Sequence, residues 1–127
     1  MSGLCLSVSM CTYNGARFLR EQLESIASQI RLPDELVVCD DGSTDATLAI
    51  LTEYAKAVRF PVRIQCNTSR LGPAKNFEQA ISLCKGEIIV LSDQDDIACI
   101  SVFLVKNVAI SVLFCLIVMK LQLLQWI

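Results

Sequence analysis

The sequence predicts an α/β fold, an open and mostly parallel sheet with helices on both faces. Three features point to it. Short aliphatic stretches alternate with segments of helical periodicity in the order β-α-β-α-β-α-β. Two of those stretches, "LVVC" at residues 36–39 and "IIVL" at residues 88–91, contain no polar side chain, as expected of strands buried on both faces. The links between elements are short, and each predicted strand runs into a polar cluster containing Asn or Asp.

The first strand is expected at residues 4–10, followed by a turn at Asn14-Gly15 and a helix whose apolar positions are 19, 23, 26, 27 and 30. Pro33 is expected to end that helix. A second strand follows at residues 35–39. Ser43 or Thr44 then suits the cap of a second helix, with Asp45 in its first turn near the positive end of the helix dipole and Leu48, Leu51, Ala55 and Val58 as its apolar stripe. Residues 62–65 read as a third strand. After the polar loop "NTSRLG" comes a helix over residues 73–84, with Pro73 in its first turn, Phe77, Ala80, Ile81 and Cys84 on its apolar face, and Gly86 closing it. Residues 88–91 are the fourth strand, and no internal repeat is present.

With 127 residues the chain is sized for one modest domain. A net charge of -2 leaves no basic stripe for phosphates along a duplex, so no nucleic acid is expected as a partner. The absence of histidine removes imidazole bases and Ser-His or Cys-His nucleophile pairs, so chemistry must rest on carboxylates. Seven cysteines, an odd number with no CxxC pair, read as small buried hydrophobes in a reducing compartment. The first ten residues lack a basic region, and a cytoplasmic start is expected.

In parallel sheets ligands bind beyond the carboxyl ends of the strands, where loops and helix amino ends converge. "CTYNG", "CDDGSTD" and "SDQDD" should therefore line one rim. A tight helix-capping turn accounts for one Asx side chain in "DDGSTD", whereas Asp40 and Asp41 together offer two acceptors for the N–H and O–H groups of a base and ribose. "SDQDD" reads either as a solvated acidic loop or as a cation site. Carboxylates a few ångströms apart repel by about 1 kcal/mol in water and several times that in a half-buried rim. An oxygen-seeking divalent ion held by Asp93 or Asp95 would relieve this.

The segments "VSMCTYNGARFLREQLESIASQ", "DELVVCDDGSTDAT" and "NTSRLGPAKNFEQAISLCKGEIIVLSDQDDI" together resemble the amino-terminal half of family-2 glycosyltransferases, most closely the rhamnosyltransferase-like members that build bacterial surface polysaccharides. The resemblance covers residues 6–97. It implies a GT-A fold, a nucleotide-diphospho-sugar donor such as a dTDP- or UDP-sugar, transfer with inversion to a glycan or lipid-linked acceptor, and Mg or Mn as cofactor. By resemblance Tyr13 and Asp41 contact the base, Asp40 orders that pocket, and Asp93 and Asp95 form a DxD pair touching ribose, diphosphate and metal, with Asp96 supporting it. Gly72, Lys75 and Asn76 resemble the loop and helix start near the donor, a segment that also reads as an ordinary helix entry.

Composition breaks at residue 97. Residues 1–96 carry nine basic and thirteen acidic side chains, while residues 97–127 carry Lys106, Lys120 and no acid, and 24 of those 31 residues are apolar. Where the family continues with Trp, Ala98 stands here. Three accounts of the tail compete: a membrane-associated helix, for which the 12 residues 108–119 fall short of the roughly 20 needed to span; a core element; and the product of a reading-frame change or premature stop. The expected organisation is a nucleotide-sugar-binding half-domain over residues 1–97 and an apolar, helical tail over residues 98–127, located in the cytoplasm or at the inner face of the cell membrane. By resemblance the catalytic base belongs to a carboxyl-terminal half beyond the DxD segment that is missing here, so no catalytic residue is assigned. A truncated glycosyltransferase is expected, with a catalytically inactive nucleotide-sugar-binding fragment or a membrane-associated protein as alternatives. A phosphate-accepting receiver pocket lacks its partner Lys-bearing strand.

Overall fold

In the computed structural model, which describes residues 5–93 and 103–105, the expected alternation is present as a five-stranded sheet with three helices. The elements are β1 (Leu6–Thr12), α1 (Ala16–Ala27), β2 (Glu35–Asp40), α2 (Thr47–Ala57), β3 (Val62–Cys66), α3 (Pro73–Leu83), β4 (Ile88–Asp93) and β5 (Phe103–Val105). The strand order is β3-β2-β1-β4-β5, with the first four parallel and β5 antiparallel to β4.

That order fixes which face each helix covers. The chain moves outward from β1 through β2 to β3, then returns across the sheet to place β4 on the other side of β1. Right-handed crossovers running in opposite directions put their helices on opposite faces. Accordingly Leu19, Leu23 and Ile26 of α1 and Ile50 and Leu51 of α2 pack with Val8, Met10, Leu36, Val38 and Val90. Phe77, Ala80 and Ile81 of α3 pack with Cys11, Val37, Cys39, Ile89 and Leu91. Alternate residues of β2 thus serve two cores, which is why its run is aliphatic without interruption. Tyr54 ties α2 to α1 by donating to the Leu23 carbonyl at 2.9 Å, and its burial pushes its phenol up to about 12.

Several boundaries differ from expectation. β1 runs on to Thr12 because Cys11 and Thr12 still pair with Cys39 and Asp40. α1 stops at Ala27, well before Pro33, and Ile30 is fully exposed. Residues 28–34 are needed instead to return the chain to β2, where the Asp34 amide bonds the Leu6 carbonyl and the Leu6 amide bonds the Asp34 carboxylate. Gln22, which the apolar pattern passed over, is buried and donates to Ser92 on β4. Cys11, Cys39 and Cys84 are buried, and burial pushes Cys39 and Cys84 up to about 11. Cys5 and Cys66 are exposed, contrary to the expectation for the thiols. The helical reading of the tail lies outside the described residues except at Phe103–Val105, which is a strand. Among the described residues no helix is long and apolar enough to cross a membrane.

At the amino ends of the strands a buried carboxylate joins three elements. Glu35, 8% exposed, accepts from the Ser7 hydroxyl at 2.7 Å, the Lys85 amide at 2.6 Å and Arg63 at 2.7 Å. Gly86 donates its amide to Ser7, and a β-carbon there would lie 2.8 Å from the Cys5 carbonyl oxygen and the Ser7 nitrogen, so only glycine fits. Burial alone would raise the Glu35 carboxyl, but Ser7, the Lys85 amide and Arg63 outweigh it and hold it below the ordinary glutamate value.

A lowered folded value means that the stabilisation is complete above the ordinary glutamate range and is lost as pH falls through the folded value. Glu35→Ala, which strands three donors, should lower stability by about 3 kcal/mol in urea unfolding. Glu35→Gln should flatten the acid limb of the stability profile relative to wild type, and an unchanged limb would contradict this account.

Candidate functional site

The rim at the carboxyl ends of the strands is assembled by loops that cap one another. α1 has Gly15 in its N-cap position and no side-chain cap from its own segment. Its free amides are satisfied from the loop after β2: Gly15 donates to the Thr47 hydroxyl at 3.0 Å and Ala16 to the Asp45 carboxylate at 3.1 Å. Asn14, with φ 47°, donates its amide to the Ser43 hydroxyl at 2.9 Å and accepts the Thr44 amide on its side-chain oxygen at 2.7 Å. Ser43 and Thr44 therefore do not cap α2 as expected. The N-cap position of α2 is Ala46, and Asp45 just before it accepts the Thr47 hydroxyl at 2.5 Å and amide at 3.0 Å, bonds that with the Ala16 amide hold its carboxyl below the ordinary range.

Asp40 is fully buried, and both of its oxygens are engaged by the protein. One accepts the hydroxyls of Thr12 at 2.7 Å and Ser43 at 2.6 Å, the other the amides of Ser43 at 2.8 Å and Gly42 at 3.2 Å. Asp40 thus spends both oxygens on β1 and on its own loop.

Asp41, 4% exposed, is wrapped by the loop between β3 and α3. It accepts the Leu71 amide at 2.7 Å, the Asn67 side-chain amide at 3.1 Å and the Gly72 amide at 3.0 Å, and the Arg70 Nε lies 3.8 Å away. Burial would raise the Asp41 carboxyl, but these donors and the Arg70 charge outweigh it and hold it low. Gly72 makes the wrap possible with φ 87° and ψ 161°, a region essentially closed to other residues. Asn67 also donates to Asn76 at 2.8 Å, and Asn76 donates to the Cys39 carbonyl at 2.9 Å, locking the first turn of α3 onto the end of β2. Asn76 is thus buried in scaffold bonds, whereas Lys75 on the same turn is exposed.

The guanidinium carbon of Arg70 lies 3.7 Å from the centroid of the Tyr13 ring. Tyr13, Asp41 and Arg70 therefore meet at one place, brought together from β1, β2 and the β3–α3 loop. Asn67 and Arg70 were not singled out in the sequence, although a cation two residues before a glycine, in a loop bound for the same rim as two carboxylates, was a usable signal. On the other side of β1, Asp93 ends β4 with its backbone paired to Cys11, which pairs in turn with Cys39. Asp93 is two strands, about 10 Å, from β2 at that level. Asp95 lies outside the described residues, as does Asp96. Among the described residues no three His, Cys, Asp or Glu side chains converge as a metal site.

Residues 7–99 match the sequence profile of the family described as Glycosyl transferase family 2. EpsE of Bacillus subtilis (strain 168) is 37% identical over 97 residues, an alignment covering 76% of this chain and 35% of that one. The crystal structure of Staphylococcus aureus TarS 1-349 in complex with UDP-GlcNAc is similar with a TM-score of 0.65 and 32% identity, over 72% of this chain and 27% of that one. TarS is a poly(ribitol-phosphate) beta-N-acetylglucosaminyltransferase. The mannosyltransferase PcManGT from Pyrobaculum calidifontis, in complex with GDP-Man and Mn2+, gives a TM-score of 0.67 and 30% identity, over 75% of this chain and 28% of that one. The parallel sheet with its flanking helices matches the GT-A-like arrangement of these structures. The chain spans about a third of the length of EpsE.

Nothing lies within 4 Å of a β-carbon built on Gly72, so a side chain there meets only backbone strain. Gly72→Ala should cost about 1–3 kcal/mol in urea unfolding. A variant as stable as wild type would show that the loop holds Asp41 without that backbone conformation.

Proposed function

The chain belongs to glycosyl transferase family 2, and from that premise we propose that it binds a nucleotide-diphospho-sugar, a dTDP- or UDP-sugar, at the strand rim. It does so as the donor-binding part of an inverting, metal-dependent transferase acting on a glycan or lipid-linked acceptor in cell-surface polysaccharide synthesis, at the cytoplasmic side of the membrane. The observation that carries the reading is the meeting of the Tyr13 ring and the Asp41 carboxylate beside the β3–α3 loop.

On this reading Tyr13 offers a face for the base to stack on, and Asp41 accepts an N–H from its edge. Asp40 fixes the loop that presents Asp41, through its four bonds to Thr12, Gly42 and Ser43. Lys75, exposed at the start of α3, is the proposed attractor of the negatively charged diphosphate. Asp93 and Asp95 are the proposed ligands of Mg or Mn. Such an ion, when bound, offsets charge on the departing nucleoside diphosphate. The Mn2+ and GDP-Man bound to PcManGT, and the UDP-GlcNAc bound to TarS, support this class of ligand.

Inverting transfer also needs a carboxylate to take the acceptor's proton. Residues 97–127 contain no Asp or Glu, which favours as a second reading a module that binds the donor without transferring it.

Isothermal titration of UDP and dTDP in the presence of Mn2+ tests the proposal. Wild type should bind, Asp41→Asn should weaken binding about tenfold or more, and chelation of the metal should weaken it further. A wild-type protein that binds neither nucleotide with Mn2+ present would overturn the reading. Transfer of sugar to a glycan acceptor by this chain would overturn the second one.

A further inference from the structure

The Arg70 guanidinium is a flat group with N–H donors along its edge, lying against the Tyr13 ring at 3.7 Å and within 3.8 Å of Asp41 Oδ2. A uracil or thymine ring that stacked on Tyr13 and donated its imide N–H to Asp41 would need the same space and the same acceptor. A carboxylate offers about four acceptor sites. The amides of Leu71 and Gly72 and the side chain of Asn67 take three of those on Asp41. What remains is within reach of Arg70.

We propose that Arg70 is an internal surrogate for the nucleobase: in the unliganded protein its guanidinium occupies the base subsite between Tyr13 and Asp41, and an incoming donor must displace it. This rests on the donor-binding reading above and adds to it a competitor carried by the chain itself. The occupant is suited to leave. Its side chain is 58% exposed, whereas that of Asp41 is 4% exposed, so the guanidinium can swing into water while the carboxylate stays held by its three amide donors.

The ion pair, 3.8 Å long between an exposed guanidinium and a buried carboxylate, and the cation–π contact are each weak, and together they set the penalty on donor entry. Removing them should tighten donor binding by about five- to thirtyfold. The experiment is titration of UDP, at saturating Mn2+, into the full chain as wild type, Arg70→Ala, Tyr13→Ala and the double variant. Arg70→Ala should bind UDP more tightly than wild type, and the gain should shrink in the Tyr13→Ala background, where the surrogate has lost its platform. UDP binding that is unchanged or weaker in Arg70→Ala, with wild type binding normally, would overturn the inference while leaving the donor site standing. If neither wild type nor Arg70→Ala binds UDP, the donor reading falls and the inference with it.

Discussion

Everything at the rim follows from having two carboxylates side by side at the end of a buried strand. Successive residues of a strand point to opposite faces, so Asp40 and Asp41 cannot share one set of donors. Asp40 follows Leu36 and Val38 in the alternation, toward the side of α1 and α2, and is satisfied by Thr12 and by its own loop. Asp41 follows Val37 and Cys39, toward α3, and is satisfied by the loop that begins that helix. Each charge thus recruits a different stretch of chain, and the adjacency that looks repulsive in sequence becomes the device that draws β1, β3 and the starts of two helices to the end of β2.

The same face of β2 carries Glu35 six residues earlier, and the two acids hold α3 at its two ends. Glu35 accepts the Lys85 amide just past the helix, while Asp41 accepts the Leu71 and Gly72 amides just before it. Each is accompanied by an arginine from β3 or the loop after it, Arg63 at one end and Arg70 at the other. Between them lie Phe77, Ala80 and Ile81 on the apolar face. The hydrophobic contacts supply most of the packing energy but slide easily along a sheet, whereas charged acceptors at fixed positions set the axial register. The position of Asn76 at the rim, bonded to Asn67 and to the Cys39 carbonyl, is a consequence of that register.

Strand identity was legible in the sequence because burial on both faces leaves an uninterrupted aliphatic run, as in residues 36–39 and 88–91. The helices were legible from Leu19, Leu23 and Ile26 and from Phe77, Ala80 and Ile81, and the convergence of three loops on one rim followed from topology. Capping was not legible. A local rule assigns Ser43 or Thr44 to α2, but Ser43 bonds Asn14 and Asp40, the Thr44 amide bonds Asn14, and the caps of α1 come from Asp45 and Thr47, about thirty residues along the chain. Ile30 misled for the related reason that periodicity continues past the point where the return to β2 ends the helix. Gln22, Asn67 and Arg70 were passed over because a polar side chain declares its partner only once the partner's strand is in place.

Magnitudes divide the rim into a fixed part and a movable one. Hydrogen bonds to a charged acceptor contribute about 1.5–3 kcal/mol each, and Asp41 receives three from donors whose own positions are set by a helix start and a glycine in a restricted conformation. Asp40, fully buried with four donors, is held at least as firmly. Against this, an exposed guanidinium on an aromatic face contributes about 0.5–1 kcal/mol, and its long ion pair across 3.8 Å, with only the carboxylate buried, about as much. Thermal motion therefore separates Arg70 from Tyr13 long before it disturbs the carboxylates. The acceptor geometry at the end of β2 is thus set by the fold itself, and among the described residues Arg70 is held more loosely than either carboxylate.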